Sequence, residues 1–100
     1  MTSQGAPHAR FRRALLTGNV ALVDAAAREL PSISLEDALR MLALMATKRD
    51  ERYERAAARW AGRVIAERHL GLADGRRVLA LVEVMPDAVD AVEQRLRRYC

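Results

Sequence analysis

Five arginines follow one another between residues 49 and 63, at spacings of three, three, four and four. On an α-helix these spacings keep the side chains within one arc of roughly 80–120°. Guanidinium groups in such a row can bind the phosphates of a nucleic acid, or the carboxylates of an acidic protein partner. A third interpretation is a solvated face whose charges are met by carboxylates of neighbouring helices. We call this row the arginine stripe: Arg49, Arg52, Arg55, Arg59 and Arg63.

Few acidic residues accompany the stripe. Glu51 stands four residues before Arg55, a separation at which a helical ion pair contributes a few tenths of a kcal/mol. Glu54 and Glu67 are predicted to project elsewhere on the helix. We therefore expect that the stripe is not neutralised within its own helix.

The other side of the same helix is apolar, because Tyr53, Trp60 and Val64 share a face there. Large aromatic side chains on such a face usually anchor a core. The alternative is that Trp60 is exposed and serves as a platform on which a nucleic-acid base stacks. We predict the core anchor.

Residues that commonly carry catalysis are sparse. His8 and His69 have no histidine, cysteine or carboxylate at metal-ligand spacing. The single cysteine, Cys100, allows neither an intramolecular disulfide nor a Cys-pair zinc site. Asp37 borders a strongly apolar segment and is the only carboxylate considered as a general base. With no glycine-rich phosphate loop or nucleophile elbow either, we predict no enzymatic activity, no metal and no cofactor.

The composition is that of one small, basic domain. Of 100 residues, 17 are Lys or Arg and 13 are Asp or Glu, which gives a formal charge of +4. Apolar residues make up 51%, too many for a chain that is disordered as a whole. Since domains commonly have roughly 100–150 residues, we predict a single helical domain over residues 8–100, after a flexible tail over residues 1–7.

No targeting signal is evident in the sequence. Residues 1–7 lack the basic and apolar regions of a signal peptide. The longest apolar runs fall far short of the ~20 residues that span a bilayer. We predict a cytoplasmic protein that does not bind membranes.

Helical periodicity extends over nearly all of the chain after Pro7, and no segment alternates like a strand. The predicted fold class is therefore all-α, with about six short helices. Short connections between them predict three antiparallel helical hairpins. The predicted helices are 8–16, then 20–30 capped by Asn19, 35–48 capped by Ser34, 51–69 capped by Asp50 and closed by Gly71, 75–84 capped by Asp74, and a sixth opened by Pro86 or Asp87.

The third predicted helix is apolar over most of its circumference, which indicates burial on several sides. We place it at the centre of the fold. Met41 and Leu44 widen its apolar surface beyond the main stripe. These two residues are the candidate apolar interface with another helix or another subunit.

A faint repeat with a period of 40 residues links the third and fifth predicted helices. Leu30, Ser34, Leu39, Leu42 and Met45 recur as Leu70, Asp74, Leu79, Val82 and Met85. Periods near ~40 are typical of stacked helical hairpins such as HEAT repeats. Similar capping of unrelated helices would produce the same pattern, so a compact bundle and a short HEAT-like or ankyrin-like stack both remain open.

Four short motifs stand out between residues 18 and 60. They are the Gly18-Asn19 turn, AARELP at residues 26–31, SLEDAL at residues 34–39 and RxxRAAARW at residues 52–60. With them the chain resembles a family of short, uncharacterised all-helical proteins common in actinobacteria. The resemblance covers roughly residues 11–70. It implies a helical fold and carries no activity with it.

These observations lead to two hypotheses about function. The first is a non-enzymatic helical interaction module that binds a protein partner, or a second copy of itself. The alternative is a nucleic-acid-binding or regulatory protein that uses the arginine stripe.

Overall fold

The computed structural model describes residues 5–100 of the chain. Within that range the regular structure is entirely helical, as predicted for an all-α protein. The α-helices are α1 (Gly5–Thr17), α2 (Val20–Arg28), α3 (Leu35–Thr47), α4 (Tyr53–Glu67), α5 (Leu72–Val84) and α6 (Val89–Leu96), with 3-10 helices at Met85–Asp87 and Arg97–Tyr99.

The contacts divide the chain at residue 34 into two compact units. The single domain predicted over residues 8–100 stays a prediction. Of the predicted tail over residues 1–7, residues 1–4 lie outside the described range. Residues 5–7 belong to α1, which starts earlier than the predicted helix at His8.

The first unit is a hairpin in which α1 and α2 pack together. Gly18, at φ +69°, makes the turn between them in the left-handed region that glycine adopts without steric cost. Asn19 then caps α2 as predicted, since its Oδ1 accepts a 3.2 Å hydrogen bond from the Leu22 amide. Phe11 and Val23 are buried, and an ion pair joins Arg10 of α1 to Glu29.

In the second unit, α3, α4, α5 and α6 surround a shared core in chain order. Each packs on the next, and α6 packs on α3, so the ring is closed. In a stack of two hairpins the main additional contacts would join α3 to α5 and α4 to α6. The observed pairing is that of a four-helix bundle. Together with the α1–α2 pair, it supports the three predicted hairpins and disfavours a HEAT-like stack within this unit.

The core of the second unit is built on the apolar face of α3, as its sequence predicts. Leu39 of α3, Val64 of α4, Val78 of α5 and Leu96 of α6 are all fully buried. Burial of each such side chain contributes roughly 1.5–3 kcal/mol. The core therefore fixes which faces of α3 and α4 remain exposed.

Besides that of α1, the predicted starts of α4, α5 and α6 are wrong. The sixth helix begins at Val89, and Pro86 and Asp87 lie in the 3-10 helix that precedes it. The Asp50 Oδ1 atom accepts a 2.8 Å bond from the Arg52 amide in a turn, and α4 begins only at Tyr53. Likewise α5 begins at Leu72, so Asp74 lies inside its first turn and does not cap it. The two halves of the 40-residue repeat therefore do not have the same structure, because Ser34 precedes its helix whereas Asp74 lies within one.

Both α3 and α4 are followed, two residues after their last helical residue, by a residue other than glycine with left-handed backbone geometry. These residues are Arg49 at φ 51° and His69 at φ 53°. Beyond Arg49 the Asp50 amide donates to the Met45 carbonyl, and beyond His69 the Leu70 amide donates to the Ile65 carbonyl. These bonds form Schellman motifs. The prediction that Gly71 closes α4 is wrong, because His69 closes the helix and Gly71 precedes α5.

The buried Tyr53 side chain supplies a hydrogen-bond donor that the last turn of α5 lacks. The Tyr53 hydroxyl donates a 2.5 Å hydrogen bond to the Val82 carbonyl. The residue four positions after Val82 is Pro86, which has no N–H to donate to that carbonyl. Burial raises the pKa of Tyr53 from its usual value near 10 to about 12.

Replacing Tyr53 by phenylalanine is expected to cost about 1–2 kcal/mol near neutral pH, because the Val82 carbonyl loses its donor. Between about pH 10 and 12 the unfolded chain releases the phenolic proton that the folded chain keeps, so wild-type stability falls as pH rises. The difference between wild type and Tyr53→Phe should therefore shrink across this window. Urea unfolding followed by circular dichroism measures it, and a difference independent of pH would contradict the assignment.

Candidate functional site

The arginine stripe is only partly helical. Arg49 occupies the left-handed turn after α3, and Arg52 precedes the first residue of α4. The prediction of one continuous helical row of five arginines is therefore wrong at its first two members. Arg55, Arg59 and Arg63 do lie on α4, each four residues from the next, and so share one side of that helix.

Three of the five stripe residues are engaged by carboxylates. The ion pairs are Arg49–Asp87 at 4.0 Å, Arg52–Asp50 at 2.9 Å and Arg63–Glu67 at 2.9 Å. The Arg63–Glu67 pair lies within α4, so the expectation that Glu67 projects elsewhere is wrong. A row of phosphates would have to compete with these carboxylates.

Arg55 and Arg59 are both exposed. Neither guanidinium group has a carboxylate within 4 Å among residues 5–100. In particular, Glu51 does not pair with Arg55, although the spacing would permit it. The two groups lie one helical turn apart and could each bind an anionic group.

An apolar groove runs between α3 and α4 beside these cations, with a cavity of about 180 Å³. Each helix contributes residues at positions i, i+3, i+4 and i+7, so the groove follows both helices for about two turns, or ~10 Å. We call it the arginine groove, and its lining is Ala38, Met41, Leu42 and Met45 from α3 with Ala56, Arg59, Trp60 and Arg63 from α4.

Trp60 forms a rigid wall of this groove. Its side chain is buried, with 3% of its surface exposed, and its Nε1 atom donates a 3.0 Å hydrogen bond to the Leu35 carbonyl. The prediction of a core anchor is thus confirmed. An exposed platform for stacking a base is excluded, because the indole has almost no free surface.

The groove joins residues that the sequence suggested separately. Met41 came from the candidate apolar interface, and Arg59 and Arg63 came from the arginine stripe. Met41 is half-buried, as is Leu44, but Leu44 is not part of the lining. The role of Leu44 at an interface stays a prediction.

A second, larger groove was not anticipated from the sequence. Its cavity of about 630 Å³ lies between the start of α4 and the end of α5. Tyr53, Val82 and Leu79 form an apolar floor, and Glu54 and Glu83 stand on its rim. Tyr53 and Val82 are almost thirty positions apart in the sequence. The groove therefore becomes evident only when α4 is seen to pack on α5.

The few other chemically capable residues do not converge. Asp37 is buried and accepts a 2.8 Å hydrogen bond from Arg40. Burial raises the pKa of the Cys100 thiol. Within residues 5–100, no three side chains of His, Cys, Asp or Glu come together where they could hold a metal ion.

Comparison with protein-family models, curated proteins and solved structures gave no match. The likeness to the actinobacterial family stays a prediction. None of the helices over residues 5–100 combines the length and the apolar character needed to cross a bilayer.

Proposed function

We propose that this protein is a non-enzymatic interaction module whose arginine groove binds an acidic amphipathic helix of a partner protein. The observation that carries the proposal is the presence of Met41, Trp60 and Arg59 in one groove between α3 and α4. An apolar groove of this kind is a common receptor for the apolar face of a helix. A cytoplasmic location is part of the same proposal.

The size of the groove favours one large anchoring side chain. A volume of about 180 Å³ is close to the ~150 Å³ that accepts a benzene ring. Met41 and Met45 are flexible and polarizable, so they can adapt to a leucine, phenylalanine or methionine from the partner. Trp60 is almost fully buried and held by its hydrogen bond, so it fixes α4 against α3 behind these methionines and offers little free surface itself.

Charge on the rim selects an acidic partner. Arg59 borders the groove, and Arg55 continues the same side of α4 one turn earlier. A guanidinium group can grip a carboxylate through two parallel hydrogen bonds. Arg63 contributes less, because Glu67 already holds its Nε atom at 2.9 Å.

Fluorescence polarisation tests the proposal with a labelled synthetic helix of about 16 residues, roughly four turns, that carries leucines on one face and glutamates beside them. Saturable binding to the wild-type chain is expected. Arg59→Glu and Met41→Glu should each weaken it by about tenfold or more, which corresponds to ~1.4 kcal/mol.

Matched controls separate this contact from general electrostatics. Arg76→Glu makes the same charge change on an exposed residue of α5 outside the groove, and it should leave the affinity nearly unchanged. A peptide with lysine in place of each glutamate should not bind. Equal loss with Arg59→Glu and Arg76→Glu, or tighter binding of a DNA duplex than of the acidic peptide, would overturn the proposal.

A further inference from the structure

The groove between α4 and α5 has the opposite charge to the arginine groove. Glu51, in the turn before α4, and Glu54, in the first turn of α4, line it together with Glu83 of α5. No basic group of the described chain lies within 4 Å of these three carboxylates. At one end Arg49 and Asp50 also line the groove, and each has an ion-pair partner. We call it the acidic groove.

The acidic groove has an apolar floor, of which Leu79 is the accessible part. Leu79 is 50% exposed, and Glu83 follows it by four residues on the same side of α5. A volume of about 630 Å³ is well within the range of roughly 300–1,000 Å³ that is typical of ligand sites. The groove therefore fits an occupant that has an apolar side chain with cations on both sides of it.

The first unit of the same chain presents such a surface. Leu16 of α1 is 88% exposed. At about 100° per residue it projects between Arg12 and Arg13, away from the buried Phe11. Among residues 5–100, no carboxylate lies within 4 Å of either of these arginines.

We propose that the Arg12–Arg13–Leu16 face of α1 in one copy of the chain docks in the acidic groove of a second copy. Leu16 covers Leu79 and the apolar floor, and the two guanidinium groups pair with Glu54 and Glu83. Because the two surfaces differ, this contact is of the head-to-tail type. The acidic groove shares no lining residue with the arginine groove, so the proposal does not depend on the proposed function.

Sedimentation velocity of the full chain over a series of concentrations tests this contact. The wild type should associate as concentration rises, and added salt should weaken the association. Leu16→Glu, Arg12→Glu with Arg13→Glu, and Glu54→Arg with Glu83→Arg should each raise the dissociation constant by about tenfold or more. Leu72→Glu, at an exposed leucine outside the groove, and Arg59→Glu should leave it unchanged.

Mixing the two charge-reversed variants tests directly whether α1 of one copy contacts the acidic groove of another. The variant with an acidic α1 and the variant with a basic groove should each be monomeric alone and should associate when mixed, since every contact is again between opposite charges. Circular dichroism confirms that each variant folds. A wild type that is monomeric at every concentration, association unaffected by the α1 and groove variants, or no recovery on mixing would each overturn the proposal.

Discussion

Replacing Trp60 by alanine is expected to lower the free energy of unfolding by about 3–5 kcal/mol. The side chain is 3% exposed in the core of the second unit, and truncation leaves a cavity between α3 and α4. It also removes the N–H that donates to the Leu35 carbonyl at the start of α3. Because Trp60 is the only tryptophan, urea unfolding should be followed by circular dichroism.

A second substitution separates packing from the hydrogen bond. Trp60→Phe keeps much of the apolar volume and loses the indole N–H, so its cost should be smaller than that of Trp60→Ala. If alanine cost less than about 1 kcal/mol, the indole would not be the core anchor described here, and the wall of the arginine groove would be lost with it.

Leu39→Ala is expected to destabilise the protein by about 2–5 kcal/mol, because Leu39 of α3 is fully buried. Leu79 stands forty residues later in α5, and alanine in its place should cost less than about 1 kcal/mol, since half of its surface is exposed. Parallel urea titrations of the two variants measure the difference.

This pair of variants also tests the meaning of the 40-residue repeat. Equivalent positions in two structural repeats would lose similar stability, whereas the bundle predicts a large difference between them. Equal costs for Leu39→Ala and Leu79→Ala would contradict the arrangement of α3 and α5 in the second unit.

The fold class and the extensive burial of α3 could be predicted because they depend on periodicity and apolar content. The structure does not place α3 at the centre, since it is one of four helices around a shared core. The Asn19 cap could also be predicted, since an asparagine before a helix commonly accepts a hydrogen bond from an amide of the first turn, here that of Leu22. Asp50 misled the prediction because an aspartate can bond the backbone two residues ahead in a turn just as readily as it caps a helix. The left-handed residues Arg49 and His69, which close α3 and α4, could not be predicted. Glycine is the residue that normally indicates this geometry, and neither position has one.

The candidate site was predicted in parts. Spacing identified Arg59 and Arg63, and apolar excess identified Met41, but their meeting in one groove depends on how α3 crosses α4. The same limitation hid the acidic groove, where Glu54 and Glu83 are joined only by packing. Local spacing could not show that Arg49 pairs with Asp87, because α4 and α5 lie between the two residues in the sequence.

The most direct test of the central claim is a ¹H–¹⁵N correlation spectrum of the full chain titrated with the acidic amphipathic peptide. We expect saturable shifts concentrated at the residues that line the arginine groove, with Met41, Arg59 and the Trp60 indole N–H among the largest. The lysine-substituted peptide should leave these signals in place. No saturable shift, or shifts spread evenly over the surface, would contradict the claim that α3 and α4 form the partner-binding site.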